Sequence, residues 1–248
     1  MLIGSPPRQT RSGVYARRPR LVGHRGANAL APENTLLAIR LAAEHGLDLV
    51  EVDVYLSRDA ELMVIHDEDL ERAAGRRERV DSLTANELAR VDLGAGQGVP
   101  RLLEVLDLAR ERGIGVYVEL KGERTGAALG ALVHAGGARA VELISGSFEV
   151  PLVSELRASA PDVPRSVLFR RTSTQAMRDI CASVAARYAH PCFRPLDRAL
   201  VDGLHAAGLL VMAPHTNDPA EARTFAADGI DVLATDDPAV LTPLLAQA

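Results

Sequence analysis

From Arg20 onward, short β-rich runs alternate with longer helical patterns, and this alternation constrains the fold more than any other feature. Strands are predicted at 20–24, 48–54, 114–120, 139–145, 165–169, 185–189, 208–213 and 231–235. Helices are predicted near 33–45, 101–112, 125–135, 148–159, 174–182, 196–207, 218–227 and 238–246. Eight such units in 248 residues predict a parallel sheet closed into a (β/α)8 TIM barrel. An open doubly wound sheet is the alternative, but its GxGxxG fingerprint is missing after the first strand.

One stretch interrupts the alternation. Residues 55–100 contain a hairpin-like run that ends at His66, then a charged segment and a short helix near 84–91. We interpret it as a small insertion after strand 2, on the face where barrel enzymes hold their catalytic groups. Residues 1–19 contain four arginines with prolines and polar residues, without the apolar segment of a signal peptide. We therefore expect a flexible arm at 1–19 and a single domain at 20–248.

The composition narrows the class of function. The chain has 28 basic and 33 acidic residues, so it lacks the basic excess of nucleic-acid-binding proteins, and we expect no nucleic-acid partner. No apolar run approaches the length of a membrane span, so no integral membrane segment is predicted. Cys181 and Cys192 form neither a CxxC pair nor a zinc-ligand pattern, which favours a reduced, cytoplasmic setting.

Acidic side chains lie near the ends of two predicted strands. Strand alternation puts Glu51 and Asp53 on one face of the second strand, and Glu119 and Lys121 on one face of the third. One strand-end acid is usually a solvated charge, but three carboxylates at a barrel mouth are costly unless they protonate or bind a cation. Oxygen ligands favour calcium or magnesium over zinc. The sequence therefore predicts a divalent metal site.

Histidines and basic residues supply the second element of the site. His24 follows the first strand and His66 ends the hairpin-like run, so both are expected at the same rim as the acids. A lone strand-end histidine is usually structural, whereas two beside a cation indicate a general acid and a general base. Arg25 is a candidate fork for phosphate oxygens. Lys121 is the only lysine of the chain, and its compact ammonium suits one oxygen in a narrow space.

These candidates occur within short motifs. The motifs are His24-Arg25-Gly26, Ala31-Pro32-Glu33-Asn34-Thr35, Glu51-Val52-Asp53-Val54, Val64-Ile65-His66-Asp67 and Val118-Glu119-Leu120-Lys121. Weaker similarities occur at 99–106, 145–148, 228–231 and 235–236. Together, their order and spacing resemble those of the glycerophosphodiester phosphodiesterases, and the resemblance runs from residue 20 to the C-terminus.

The resemblance implies a (β/α)8 barrel that hydrolyses a small-molecule glycerophosphodiester to glycerol 3-phosphate and an alcohol, with a divalent metal ion. In that family, the metal is bound by the positions that match Glu51, Asp53 and Glu119. The general acid and base match His24 and His66, and the phosphate-binding positions match Arg25 and Lys121. The family mechanism uses a neighbouring glycerol hydroxyl as an internal nucleophile, although direct attack by water would need the same residues.

The chain departs from the family at the seventh strand. Family members commonly contain a Trp-Thr-Val-Asn-like string there, but this chain has no tryptophan, and the matching stretch is 211–218. Pro214 or His215 replaces the aromatic wall, which leaves the headgroup specificity open. An aromatic cage for choline is poorly supported, although one wall is available from Tyr55, Tyr117, Phe148 or Phe193.

Other classes of function are compatible with parts of this residue set. A phospholipase-D-like hydrolase of lysophospholipids would use similar residues, and an apolar rim facing a membrane would favour it. A non-catalytic barrel that binds phosphodiesters would bind metal without turnover. A zinc amidohydrolase is disfavoured, because the first strand offers His-Arg-Gly where that class has His-x-His. The sequence leaves open the metal and which histidine is the acid.

Overall fold

The computed structural model of the protein describes residues 18–245, and its centre is a closed barrel of parallel strands. The strands are Arg20–Gly23 (β1), Leu49–Leu56 (β2), Leu62–Val64 (β3), Gly115–Leu120 (β4), Leu143–Ser147 (β5), Arg165–Phe169 (β6), Tyr188–Pro191 (β7), Leu210–Ala213 (β8) and Val232–Thr235 (β9). All except β3 form the barrel, and β1 pairs in parallel with both β2 and β9, which closes it. The predicted eight-stranded TIM barrel is confirmed.

Helices surround the barrel. They are Leu36–Glu44 (α1), Glu71–Ala74 (α2), Ala85–Leu88 (α3), Leu102–Arg112 (α4), Thr125–His134 (α5), Val150–Ser159 (α6), Thr174–Ser183 (α7), Arg198–His205 (α8), Pro219–Ala227 (α9) and Pro238–Leu245 (α10). Among residues 18–245, none is long and apolar enough to cross a membrane. Each predicted helix after a barrel strand is present.

Side-chain alternation divides the barrel into two apolar layers. The outward-facing side chains of β2 and β4 include Val50, Val52 and Val118, and they pack in the large core between strands and helices. The inward-facing side chains form a smaller cluster that fills the barrel: Val22, Leu49, Tyr117, Ile144, Leu168, Tyr188, Met212 and Val232. The interior is therefore a packed core, and polar residues lie above it at the carboxyl ends of the strands.

The insertion after β2 has a core of its own. Strands β2 and β3 form an antiparallel hairpin, and the segments that follow bury Met63, Leu70, Val80 and Leu88. The predicted helix near 84–91 is shorter, and it starts at a capping box in which Thr84 and Glu87 exchange hydrogen bonds. This small core fixes the segment that carries His66.

Two strands, β5 and β7, begin at least three residues later than predicted. The first part of the predicted strand 139–145 forms a turn, with Ala140 at φ +62°, and β5 begins only at Leu143. Similarly, Ala185 at φ +49° turns the chain before β7 begins at residue 188, whereas the prediction was 185–189. As a result, His190 lies on a strand rather than after one. The predicted arm at 1–19 lies outside the described residues except for its last two positions.

Candidate active site

A cavity of about 260 Å³ lies at the carboxyl ends of the barrel strands. Six of the seven residues predicted for the site line it: His24, Arg25, Glu51, His66, Glu119 and Lys121. The seventh, Asp53, has a side chain only 2% exposed and lies against Lys121, at 3.2 Å from the ammonium. The structure therefore brings the whole predicted set together.

Three carboxylates form a cluster because β2 and β4 are neighbours. Their register pairs Asp53 with Glu119, and Glu51 precedes Asp53 on the same face. Each of the three offers an oxygen within 4.8 Å of the others. Burial, followed by repulsion from the other two acids, raises the pKa of Glu51 well above its usual value. Burial and then the charge of Asp53 raise the pKa of Glu119 as well.

The oxygens of Glu51 differ in their partners. Oε2 accepts a hydrogen bond from the backbone N–H of Arg25 at 2.8 Å. Oε1 is buried and has no hydrogen-bond partner among the described residues. A buried carboxylate oxygen without a partner is unfavourable unless a cation or a proton is present. The cluster therefore has the donor set of a site for a hard divalent ion.

Two basic side chains flank the cluster. The ammonium of Lys121 lies 3.2 Å from Asp53 and 3.1 Å from Glu119. Burial lowers the pKa of Lys121, but the two carboxylates outweigh burial and raise it, so Lys121 is charged. The guanidinium of Arg25 contacts Glu33 at 3.1 Å and approaches Asp53 at 3.5 Å. Both basic groups line the cavity, where an anion could contact them.

The two predicted histidines are each held by an aspartate. His24 Nδ1 donates to Asp236 at 2.7 Å, and His66 Nδ1 contacts Asp67 at 2.6 Å. Carboxylates accept hydrogen bonds, so this pairing puts a proton on Nδ1 and leaves Nε2 for the cavity. Burial lowers the pKa of His66. Burial acts to raise the pKa of Asp236, but the hydrogen bond and charge of His24 hold it far below the usual range.

The sequence of this chain matches the glycerophosphoryl diester phosphodiesterase family over residues 24–240. The chain belongs to that family. This family membership agrees with the motifs quoted from the sequence. The arrangement of carboxylates, histidines and lysine in the cavity agrees with them as well. The chain is accordingly an enzyme of the phosphodiester hydrolase class.

Individual relatives match over nearly the whole chain. The glycerophosphodiester phosphodiesterase of Caldanaerobacter subterraneus subsp. tengcongensis is 26% identical over 239 residues, which cover 91% of this chain and 97% of the relative. The structure of glycerophosphodiester phosphodiesterase from Agrobacterium tumefaciens is 31% identical, with TM-score 0.75 and coverage of 90% and 98%. An Oleispira antarctica phosphodiesterase, solved in complex with the product sn-glycerol-3-phosphate, is 26% identical, with TM-score 0.84 and coverage of 92% and 97%.

Several supporting residues of this family member were not assigned a role from the sequence. Asp236 and Asp67 hold the two histidines, and Asn34 exchanges two hydrogen bonds with Asp53, at 2.9 and 3.2 Å. Asn34, Asp67 and Asp236 all lie inside the motifs named from the sequence. Strand periodicity gives no signal for them, because none of them lies in a strand where polar and apolar residues alternate. The pairing of His24 with Asp236 joins residues 212 positions apart, which only barrel closure reveals.

The substituted stretch after β8 contributes His215 to the cavity. Its ring stacks on that of His24, with centroids 4.4 Å apart and planes inclined by 8°. His190 also lines the cavity from β7, and its Nδ1 is buried without a hydrogen-bond partner in the described chain. Burial lowers the pKa of His190 to about 4. From the sequence, His215 is named as a replacement for the aromatic wall and not as a partner of His24, and His190 falls just beyond the predicted end of β7 at 189.

The aromatic candidates for a headgroup wall divide between two places. Tyr117 and Phe148 line the central cavity. Tyr55 lines a larger, open cleft on the other side of Lys121. Phe193 packs against the outer apolar layer. No three of these rings surround one point in the described chain, so the geometry does not favour an aromatic cage.

Proposed function

We propose that this enzyme hydrolyses glycerophosphodiesters to glycerol 3-phosphate and an alcohol, with a divalent metal ion and two histidines as general acid and base. The observation that carries the proposal is the convergence of the predicted residues on one cavity at the barrel mouth. The Oleispira relative, whose structure contains sn-glycerol-3-phosphate, supports this class of product.

We assign the metal to Glu51, Asp53 and Glu119. Their oxygens lie within 4.8 Å of one another, and the partnerless Oε1 of Glu51 is the atom that most needs a cation. Burial, followed by repulsion from Asp53 and Glu119, raises the pKa of Glu51, and a bound cation would offset both effects. A bound divalent ion would polarise a phosphoryl oxygen. Calcium and magnesium are both compatible with oxygen ligands.

Arg25 and Lys121 are the proposed phosphate ligands. Both line the cavity and are held at the edge of the carboxylate cluster. Lys121 presents its charge at a single point, while the guanidinium of Arg25 can donate two parallel hydrogen bonds. Fixed positive groups of this kind stabilise the charge that develops on the phosphate oxygens in the transition state.

We assign the base to His66 and the acid to His24. Burial lowers the pKa of His66, so this imidazole is neutral at neutral pH and can accept a proton at Nε2. Its partner Asp67 also pairs with Arg72, at 2.5 Å, and that cation weakens the hold of Asp67 on an imidazolium. By contrast, Asp236 accepts hydrogen bonds from His24 and from neutral amides, and it pairs with no arginine in the described chain, so its charge is directed at His24.

The size of the cavity favours a small substrate. A small-molecule phosphodiester fits a cavity of about 260 Å³. The cysteines at 181 and 192 are both free, in keeping with the proposed cytoplasmic setting. Only three large apolar side chains are exposed in the described chain, which is too few for the apolar rim of a phospholipase-D-like hydrolase of lysophospholipids: Leu30, Leu103 and Val240.

The test is the release of glycerol phosphate from glycerophosphocholine, glycerophosphoethanolamine and glycerophosphoglycerol. Activity should disappear after chelation and return with calcium, magnesium or manganese. His24→Ala and His66→Ala should each lose at least about 99% of the turnover, since general acid–base catalysis contributes on the order of a hundredfold or more. His134→Ala is the matched control, because His134 is exposed on an outer helix. Metal binding without turnover on any substrate would favour the non-catalytic barrel instead.

A further inference from the structure

The ring of His24 is held from two directions. Asp236 binds its edge through Nδ1 at 2.7 Å, and His215 covers one face with nearly parallel planes, 8° apart. A bond at the edge limits rotation of the ring in its plane, while a flat contact on the face limits its tilt. The two contacts together leave Nε2 as the nitrogen that is available to the cavity.

The backbone of His215 is fixed independently of its side chain. Arg194 donates to the carbonyl oxygen of His215 at 2.9 Å, and it is itself held by two contacts with Glu221, at 2.6 and 2.9 Å. Asn217 accepts a hydrogen bond from the backbone N–H of Asp236 at 2.9 Å. The loop after β8 is therefore tied to the end of β9, and the position of His215 relative to Asp236 is set by the fold.

A metal site is the other role that this cluster suggests. His24, His215 and Asp236 offer three ligand atoms within 4.8 Å of one another. A metal ion binds an imidazole nitrogen in the plane of the ring, at about 2.0–2.1 Å for zinc. Two nearly parallel, stacked rings cannot both direct a nitrogen at one ion, because the ion would lie outside at least one plane. The stack is thus an aromatic contact and not a pair of ligands.

We propose that His215 is a positioning residue for His24, and that its flat ring keeps Nε2 of His24 aimed into the cavity. The inference rests on the proposed catalytic role of His24. Burial, followed by the proximity of His24, lowers the pKa of His215, so the stack does not bring two cations together at neutral pH. The side chain of His215 is 48% exposed, so its replacement does not open a cavity in the core.

The kinetic test separates positioning from substrate binding. His215→Ala should lower kcat about tenfold with KM changed by less than about twofold, because a misaligned proton donor slows chemistry more than binding. His215→Phe keeps a flat ring and should retain more than about half of the wild-type kcat. His134→Ala should match the wild type. A His215→Phe rate as low as that of His215→Ala, or an effect on KM alone, would overturn the proposal.

A double mutant tests whether His215 acts through His24. In a His24→Ala background, the further change His215→Ala should alter the residual rate by less than about twofold, because the group that it positions is gone. A further tenfold loss in that background would show that His215 acts directly on the substrate, and the positioning role would be wrong.

The closing experiment does not depend on turnover. In ¹⁵N-histidine-labelled protein, the ring protons of His24 lie over His215 and should shift upfield through its ring current. His215→Ala should abolish that shift, and His215→Phe should preserve it. Unchanged His24 signals in His215→Ala would overturn the inference even in an active enzyme. If the signals respond as expected but His24→Ala is fully active, then the proposed acid–base role fails while the stacking itself stands.

Discussion

Lys121 lies between two carboxylates, 3.2 Å from Asp53 and 3.1 Å from Glu119. Substitutions at this position can test whether the site needs a positive charge and whether that charge must be compact. Lys121→Met should reduce kcat/KM by at least about a hundredfold, since the proposed phosphate ligand is lost, and the metal should still bind. Lys121→Arg should recover less than about a tenth of the activity, because a planar fork does not replace a point charge in this space. Kinetics and calorimetric metal titration measure the two effects. A fully active arginine variant would refute the steric reason for the lysine.

A single residue of the site can be predicted from the sequence when a local pattern fixes the direction of its side chain. Glu51, Asp53 and Glu119 are predicted because a strand alternates, so the face of each side chain can be read from its neighbours. His215 and Asp236 are not predicted as partners of His24, because no local pattern relates residues from opposite ends of the chain. Family motifs mark such positions but do not say what they contact.

At the scale of elements, the loop from β1 to α1 holds the site in place through backbone contacts. Gly26 takes φ +82°, and its backbone passes so close to α1 that a Cβ would lie 2.7 Å from the Cβ of Ala38. The loop hydrogen-bonds to the same helix through Ala27, whose N–H donates to the carbonyl of Ala38 at 3.0 Å. His24 and Arg25 therefore depend on the packing of α1 for their position.

Gly26→Ala and Gly46→Ala form a matched pair for this dependence. Both glycines have positive φ, +82° and +76°, but nothing lies within 4 Å of a Cβ at Gly46. The free energy of unfolding should fall by about 1 kcal/mol in both variants, because alanine is strained in the left-handed conformation. In Gly26→Ala, the clash with α1 should lower the free energy of unfolding by about 2 kcal/mol more. The kcat of this variant should also fall, because His24 moves. Urea denaturation measures the free energy of unfolding of each variant, and steady-state kinetics measures its kcat. Equal losses in the two variants would mean that the loop can shift freely.

At the scale of the whole molecule, the alternation of strands and helices predicts the barrel because eight parallel strands with short connections have few other closed arrangements. The start of a strand is harder to predict. Ala140 and Ala185 adopt positive φ in turns, although alanine gives no turn signal, so β5 and β7 begin later than their apolar runs. The error at β7 concealed His190, whose burial depends on closure of the barrel around it.

His190 also makes the stability of the barrel depend on pH. Its pKa is about 4 in the folded protein, against an ordinary value of 6.5, because burial disfavours the charged ring. Between these values the unfolded chain binds more protons, so this contribution to stability is present above pH 6.5 and is lost as the pH falls towards 4. The exposed His134 provides a control without this burial.

The comparison is between the wild type and His190→Leu, which cannot titrate. From pH 7 to pH 5, the free energy of unfolding of the wild type should fall by about 2 kcal/mol more than that of His190→Leu. Urea denaturation in the presence of a chelator measures this difference without a contribution from metal binding. His134→Leu is the control and should follow the wild type, because His134 is exposed on an outer helix. If the wild type and His190→Leu lose stability in parallel, then His190 is protonated without cost in the folded barrel, and its burial does not control the charge.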